Sequence, residues 1–450
     1  MQFEINEEYI DNIQHLIEEH KDDELLLQLE EVHHADIAEI IDELDLDQAT
    51  YIIKLLDSTK TSEALMELEE DVRERILDNL SAKEIAEELE NMDTDDAADI
   101  IAELSEERKQ EVIGEIIDEE HAEHIVELLR YDENSAGGLM AKELVKVNEN
   151  WSVTGCMTEM RAQAENVTRV HSIYVVDDRG KLKGRLSLKD LLTAPSKANI
   201  SDIYIPKVDY VNVHTKGDEV ARIMQKYDLE AIPVVDEMGR LVGRVTIDDI
   251  VDFIRDEAEK DYQMAAGISE DVEADDSILR LTRARLPWLI LALLGGFVSV
   301  TVLGTFDAAM QEHAALFFFV PLIAAMAGNV GVQSSAIVLQ GLANQSLSGS
   351  LLNRLIKEIL LSLLNGAALA LLLIVGGIFL LGFDFWFGLT VGISLISVIV
   401  IASLIGTFVP IILDKLGIDP AMATGPFITT SNDIFGILIY FTIAKMILGF

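Results

Sequence analysis

The residues with the clearest chemical potential stand inside otherwise apolar sequence. Thr429-Thr430-Ser431-Asn432-Asp433 interrupts one apolar run, and Ala327-Gly328-Asn329-Val330-Gly331-Val332-Gln333-Ser334-Ser335 interrupts another. A charged side chain at the centre of a membrane helix costs about 2.5–3.5 kcal/mol on insertion scales, so Asp433 is expected to face a bundle interior or water. Helix packing through neighbouring hydroxyls is the plainer reading of the same residues. Carboxylate, amide, hydroxyl and carbonyl oxygens suit a hard cation such as Mg²⁺, which keeps several waters and needs only one or two carboxylates. If two subunits meet on a twofold axis, each supplies one Asp433 to a paired-carboxylate ring. A second candidate lies far upstream. Asp95 and Asp99 stand at i,i+4 on one helix face, where like charges repel and a bridging divalent cation relieves the repulsion.

Five stretches have the length and composition to position Asp433 within a bilayer: about 286–306, 316–341, 355–382, 387–413 and 424–448. Arg280, Arg283 and Arg285 precede the first, and Arg354 and Lys357 separate the second from the third. Asp307, Glu312 and Asp384 occupy the loops on the other side. The positive-inside rule therefore predicts cytoplasmic N-terminal domains, and an odd number of spans puts the C-terminus outside. A prokaryotic inner membrane is the expected location for this multi-pass chain.

Charge divides the molecule. Of 450 residues, 79 are acidic and 34 basic, a net of −45. From residue 287 on there are seven acidic and four basic residues, so 72 acids and 30 bases fall in residues 1–286. This balance argues against a nucleic-acid partner, whose phosphates require Lys and Arg. One cysteine, Cys156, excludes an intramolecular disulfide and a four-cysteine metal site. The acidic N-terminus, without an apolar core, predicts no secretory signal.

Residues 1–130 carry 43 acidic and 9 basic residues yet keep helical periodicity. The Ile-Ala-Glu strings at Ile37 and Ile85 predict stacked helix pairs of about 24 residues, a small α-solenoid. His33, His34, His121 and His124 read as surface residues rather than a zinc site. Residues 140–258 switch to alternating strand and helix. Tyr174-Val175-Val176-Asp177-Asp178-Arg179-Gly180 through Ser187-Leu188-Lys189-Asp190-Leu191 recurs 59 residues later, as Pro233-Val234-Val235-Asp236-Glu237-Met238-Gly239 through Thr246-Ile247-Asp248-Asp249-Ile250. Each copy predicts strand, turn, strand and a helix capped near Ser187 or Thr246.

The repeat resembles a pair of CBS domains, and the whole arrangement resembles the MgtE family of magnesium channels. Its specific marks are Tyr131 followed by Ala136-Gly137-Gly138-Leu139-Met140; Pro321 followed by Gly328-Asn329-Val330-Gly331-Val332-Gln333; and Asp419-Pro420-Ala421 followed by Ser431-Asn432-Asp433-Ile434-Phe435-Gly436. The resemblance implies an acidic α-solenoid N-domain (1–130), an α/β CBS-domain pair (131–258), a connecting plug helix (259–282) and a five-helix all-α transmembrane domain (283–450). It implies a homodimeric, Mg²⁺-selective channel that imports magnesium and closes when cytosolic Mg²⁺ binds between the N-domain and the CBS pair.

By motif, the resemblance places the pore metal at Asp433 with Asn329. It places regulatory Mg²⁺ at Glu63, Asp95, Asp99, Asp218, Asp228, Asp249, Asp252 and Asp261, and nucleotide such as ATP at Lys189 and Asp190. Lys260 stands where the family pattern can carry an acid beside Asp261, and Gly425 where some members have Asn. A transporter of Co²⁺, Mn²⁺ or Ni²⁺ is the alternative, although softer ions favour His or Cys near the path and the spans contain neither. A nucleotide-gated anion channel would want cationic residues in mid-membrane. No hydrolase elbow, P-loop or Cys–His pair suggests an enzyme.

Overall fold

The computed structural model describes the chain apart from residues 1–4, 165, 166, 168, 271, 273–275, 344–346, 348, 349, 424 and 450. The chain forms two compact units, Met1–Arg255 and Asp256–Phe450.

The first unit begins with short helices: α1 (Glu7–Glu18), α2 (Asp22–Leu29), α3 (His34–Asp42), α4 (Leu46–Leu55), α5 (Ser58–Glu67), α6 (Glu70–Asp78), α7 (Ala82–Leu89), α8 (Thr94–Glu103), α9 (Glu106–Glu115) and α10 (Glu119–Leu128). Polar residues start them. Asp45 with Gln48 and Ser81 with Glu84 form capping boxes, and Asp57, Ser105 and Asp118 accept from first-turn amides. Part of the acidic excess is thus helix punctuation. Helices α3, α5, α7 and α9 pack in succession, while α4 meets α6 and α8 meets α10. Alternate helices therefore form two layers of a solenoid around Ile37, Ile41, Ile52, Leu65, Ile85, Leu89 and Ile100. Arg73 on α6 and Glu103 on α8 form a largely buried ion pair, and Arg73 also donates to the carbonyls of Leu65, Met66 and Leu68.

The duplication folds as two three-stranded sheets. β1 (Val145–Asn148), α11 (Val153–Ala164), β2 (Ile173–Val176), β3 (Leu182–Leu186) and α12 (Leu188–Thr193) make the first module. β4 (Val211–Asn212), α13 (Gly217–Tyr227), β5 (Ala231–Val235), β6 (Leu241–Thr246) and α14 (Ile247–Ala266) make the second. In each, a parallel pair is followed by an antiparallel hairpin. Val175 faces Gly184 as Val234 faces Gly243, so the 59-residue offset is preserved in register. The hairpin turns pair with one another: Leu182 N–H donates to Gly239 O and Leu241 N–H to Gly180 O. Ser187 caps α12 as expected, accepting from Asp190 N–H.

The segment Tyr131–Met140 docks the solenoid on the second module. Ala136 N–H donates to Thr215 O and Gly137 N–H to Val213 O, and Tyr131 leaves no room for a Cβ at Gly137. Ala136, Met140, Val213, Val234 and Ile250 continue the solenoid's apolar core, whereas the first module has a core of its own.

The second unit holds five helices apolar and long enough to cross a membrane, with mean hydropathy from 1.4 to 2.6. They are α15 (Ile278–Gly304), α17 (Val320–Ala343, continuing a 3₁₀ turn from Ala314), α18 (Leu351–Leu381), α19 (Phe385–Lys415) and α20 (Gly425–Leu448); a short α16 (Asp307–Glu312) follows α15. Helix α19 is central and packs on α17, α18 and α20 through Val391, Leu395, Val398, Ile399 and Ala402. Tyr440 and Phe441 complete this core, and Tyr440 O–H donates to Leu316 O at 2.9 Å. Leu289, Leu293, Phe297, Leu364, Leu372 and Phe379 are exposed on α15 and α18, the surface a membrane or second subunit would cover.

The connecting segment differs from expectation. A helix was expected over 259–282, but α14 begins at Ile247 and ends at Ala266. Gly267, with φ of 83°, takes a left-handed conformation that stops the helix. The chain turns there, and Ser269 N–H and Oγ both donate to Ala284 O.

Candidate metal centre

Two polar constellations can be built from these elements, one in each unit. In the second unit, Asn432 is buried on α20 and its Nδ2 donates to the Ala327 carbonyl of α17 at 3.2 Å. Glycine makes that approach possible, because a Cβ at Gly331 would overlap Asn432. Gly406 of α19 in turn lies against the Gly331 carbonyl. The three helices thus cross where two of them have no side chain. Asp433 follows Asn432 on α20 and is half-buried, while Asn329 is exposed on α17. No hydrogen bond joins these two among the described residues; an ion held by both would need further ligands or water. Two turns before Asp433, the first turn of α20 meets the end of α14. Gly425 (φ 30°) sits against the Ala265 carbonyl, and Gly267 against the Pro426 ring. This contact explains why a small residue stands at 425.

The second constellation lies where α8 meets the second CBS module. Asp93, Asp95 and Glu143 place carboxylate oxygens within 4.8 Å of one another. Glu143 accepts from Thr94 N–H at 3.1 Å and Thr94 Oγ at 2.9 Å, and Lys142 N–H donates to Thr94 Oγ. Asp249 faces this group from the start of α14, held by Thr246 N–H (2.8 Å) and Thr246 Oγ (2.5 Å). Arg244 reaches Asp93 Oδ2 at 3.4 Å. Asp95 is buried at 8% exposure. Loss of water pushes the Asp95 and Asp96 carboxyls well above the usual carboxylate range, and repulsion from Asp249 adds to the rise. Burial raises Asp249 too, with the Thr246 bonds opposing. Loss of water around the Asp99 carboxyl raises it to about 7 with Arg73 opposing, although its side chain still reaches solvent. Carboxyls crowded in this way are short of positive charge, and oxygen-only donors at this spacing suit a hard divalent cation.

The other sequence candidates lie elsewhere. Glu63 is exposed on α5 and pairs with His34 at 2.9 Å. Asp218 is exposed in the first turn of α13, and Asp228 ends that helix with φ of 50°. Asp252 is exposed beside Arg255 at 3.8 Å, and Asp261 is exposed further along α14. Lys189 is exposed, and Asp190 is half-buried on α12. Sequence reasoning missed Asp93, Asp96, Glu143 and Arg244, whose association spans separations of up to 151 residues. The CBS pair adds polar atoms that are buried without hydrogen-bond partners among the described residues: Tyr174 Oη of the first sheet and Arg244 Nε of the second, while His171 Nδ1, just before β2, has Glu230 at 3.9 Å.

Comparison with known proteins agrees with this organisation. A family model for the MgtE intracellular N domain matches residues 32–134, the CBS-domain model matches 136–197 and 200–256, and a model described as a divalent cation transporter, MgtE, matches 320–443. The magnesium transporter MgtE of Thermus thermophilus is 37% identical over 329 residues, covering 71% of this chain and 72% of that protein. The magnesium transporter MgtE of Bacillus subtilis is 36% identical over 318 residues, covering 70% of each. Among solved structures, the cytosolic domain of the Mg²⁺ channel MgtE in complex with ATP has a TM-score of 0.51 and 36% identity, covering 54% of this chain and 99% of that one. The soluble part of a magnesium transporter also has a TM-score of 0.51, at 29% identity, covering 56% and 99%. From the solenoid to the last span, this chain belongs to the MgtE family of divalent cation transporters.

Proposed function

We propose that the chain forms a homodimeric Mg²⁺-selective channel in a cell membrane, importing the ion past Asp433 and closing when cytosolic Mg²⁺ is plentiful. The observation that carries the gating reading is the buried Asp95, grouped with Asp93 and Glu143 and facing Asp249. Mg²⁺ at this boundary neutralises the carboxylates and favours the docked N-domain; without it, repulsion favours release. Glu63, Asp99, Asp218, Asp228, Asp252 and Asp261 are further ligands of the bound state in this reading, since their exposed carboxylates attract cations. The contact of Gly267 with Pro426 supports a mechanical link, because movement of α14 would press on the first turn of α20. Coupling needs only that Mg²⁺ bind the closed state better than the open one. The N-terminal domains lie in the cytoplasm and, with five spans, the C-terminus lies outside.

The deciding experiment is ion flux through purified protein in liposomes, with Mg²⁺ titrated separately on each side. Inward Mg²⁺ flux suppressed by Mg²⁺ on the cytosolic side is expected; flux indifferent to that side rejects the gate. Competition by Co²⁺, Mn²⁺ and Ni²⁺ in the same assay tests the alternative cargo. ATP at the CBS pair, near Lys189 and Asp190, is a secondary proposal. It is supported by the ATP-bound relative and by the buried Tyr174 Oη and Arg244 Nε, which have no hydrogen-bond partner among the described residues. Calorimetric titration of ATP into the intact protein tests it.

A further inference from the structure

Within the acidic boundary between the N-domain and the second CBS module stands a cation that the solenoid does not supply. Arg244 lies in β6 at 4% exposure, its backbone held by two hydrogen bonds to Ala141, of 2.8 and 2.9 Å. Its Nη1 donates to the Arg169 carbonyl of the first module at 3.0 Å, and its Nη2 reaches Asp93 Oδ2 of the N-domain at 3.4 Å. One side chain thus touches both CBS modules and the solenoid. The duplication makes the placement informative. Arg185 stands 59 residues earlier at the matching position of β3, but it is exposed. An arginine recurs in both modules, and only the copy facing the solenoid is buried against a carboxylate. Arg244 is buried and Asp93 partly so, and salt and water screen such a pair less than a fully exposed contact.

We propose that Arg244 is a tethered counter-cation that docks the N-domain onto the CBS pair through Asp93, without a bound divalent cation. This deepens the cation-sensor reading and rests on it: Arg244 maintains a basal docked population, on which Mg²⁺ at Asp95, Glu143 and Asp249 then acts. In this role Arg244 is a positioning residue, because it sets how often the N-domain carboxylates face those of the CBS module.

The test is hydrogen exchange, by mass spectrometry on the full-length protein in detergent, at the amides of Thr94 and Lys142. These amides bond Glu143 and Thr94 across the docked boundary. In chelator, Arg244→Gln should speed their exchange about tenfold, the factor expected from losing one charge-assisted hydrogen bond. Arg244→Lys should fall between wild type and Arg244→Gln. Asp93→Asn, which keeps the side-chain shape, should reproduce the effect and add nothing to Arg244→Gln in the double variant. Equal exchange of wild type and Arg244→Gln in chelator overturns the proposal, as does additivity of the two substitutions. A circular-dichroism melt identifies a variant that fails to fold, and Asp93→Asn then decides alone. Adding Mg²⁺ separates the two ideas. Exchange that Mg²⁺ slows in neither protein rejects the cation-sensor reading, whereas the chelator comparison still decides on Arg244.

Discussion

At the scale of single residues, the membrane unit depends on which positions carry a side chain and which do not. Asp433 is half-buried in α20, next to Asn432, which is fixed to the Ala327 carbonyl. Asp433→Asn keeps the shape and removes the charge. It is expected to lower Mg²⁺ flux into liposomes by about tenfold or more, the scale of one charge-assisted contact; unchanged flux would remove Asp433 from the path. Gly331→Leu places a large side chain where Asn432 and the Gly406 backbone already sit. It should destabilise the bundle by at least about 1–3 kcal/mol, seen as an earlier thermal transition in detergent. Asp433 and Asn329 stand out as candidates because a polar residue is conspicuous in an apolar run. The Asn432–Gly331 contact was not, since nothing local marks which glycine faces which helix.

At the scale of elements, the solenoid joins short helices through buried charge. Arg73 links the carbonyl end of α5 to Glu103 at the end of α8. Arg73→Met leaves Glu103 buried without its partner and should destabilise the N-domain by about 3–5 kcal/mol in a denaturant titration. The boundary of α8 with α14 predicts a pH dependence. Asp95, Asp96 and Asp249 have raised carboxyl pKa values when docked, and ordinary values near 3.8 once exposed to water. The docked state therefore binds more protons between about pH 4 and the raised values, and docking without divalent cations weakens as pH rises through that window. The value of about 8 for Asp96 carries part of the loss through neutrality. Hydrogen exchange at Thr94 in chelator should be slower at pH 5.5 than at pH 8, after correction for the intrinsic rate. The helical and strand periods announce these elements, but a separate connecting helix is expected over 259–282, whereas α14 runs on from Ile247 into that segment and stops at Ala266. Gly267 ended it, through a backbone angle that the residue type permits without requiring.

For the molecule as a whole, a net charge of −45 lies almost wholly in residues 1–286, where 72 acids face 30 bases and self-repulsion opposes compaction. Chelation should loosen the docked N-domain, visible as greater susceptibility to proteolysis, and millimolar Mg²⁺ should reverse it. Asp95→Asn removes one of the carboxylates that would hold Mg²⁺ at the boundary, and with it part of the cation's preference for the docked state. It should leave flux open at cytosolic Mg²⁺ levels that shut the wild type, and unchanged inhibition would count against Asp95 as a sensor ligand.

The division into an acidic helical repeat, a duplicated strand–helix module and five apolar spans was already determined by composition and periodicity. Those patterns record local propensity and solvent preference, which neighbouring residues suffice to encode. Which carboxylates meet was settled only by tertiary packing. Asp93, Asp95, Glu143 and Asp249 converge from the solenoid, the linker and the start of α14, while Glu63 turns to His34 and Asp218 to solvent. Acids spread through 72 positions of the first 286 residues look alike in sequence; the docking of α8 against β6 and α14 selects among them, because it removes water from a few and leaves the rest solvated.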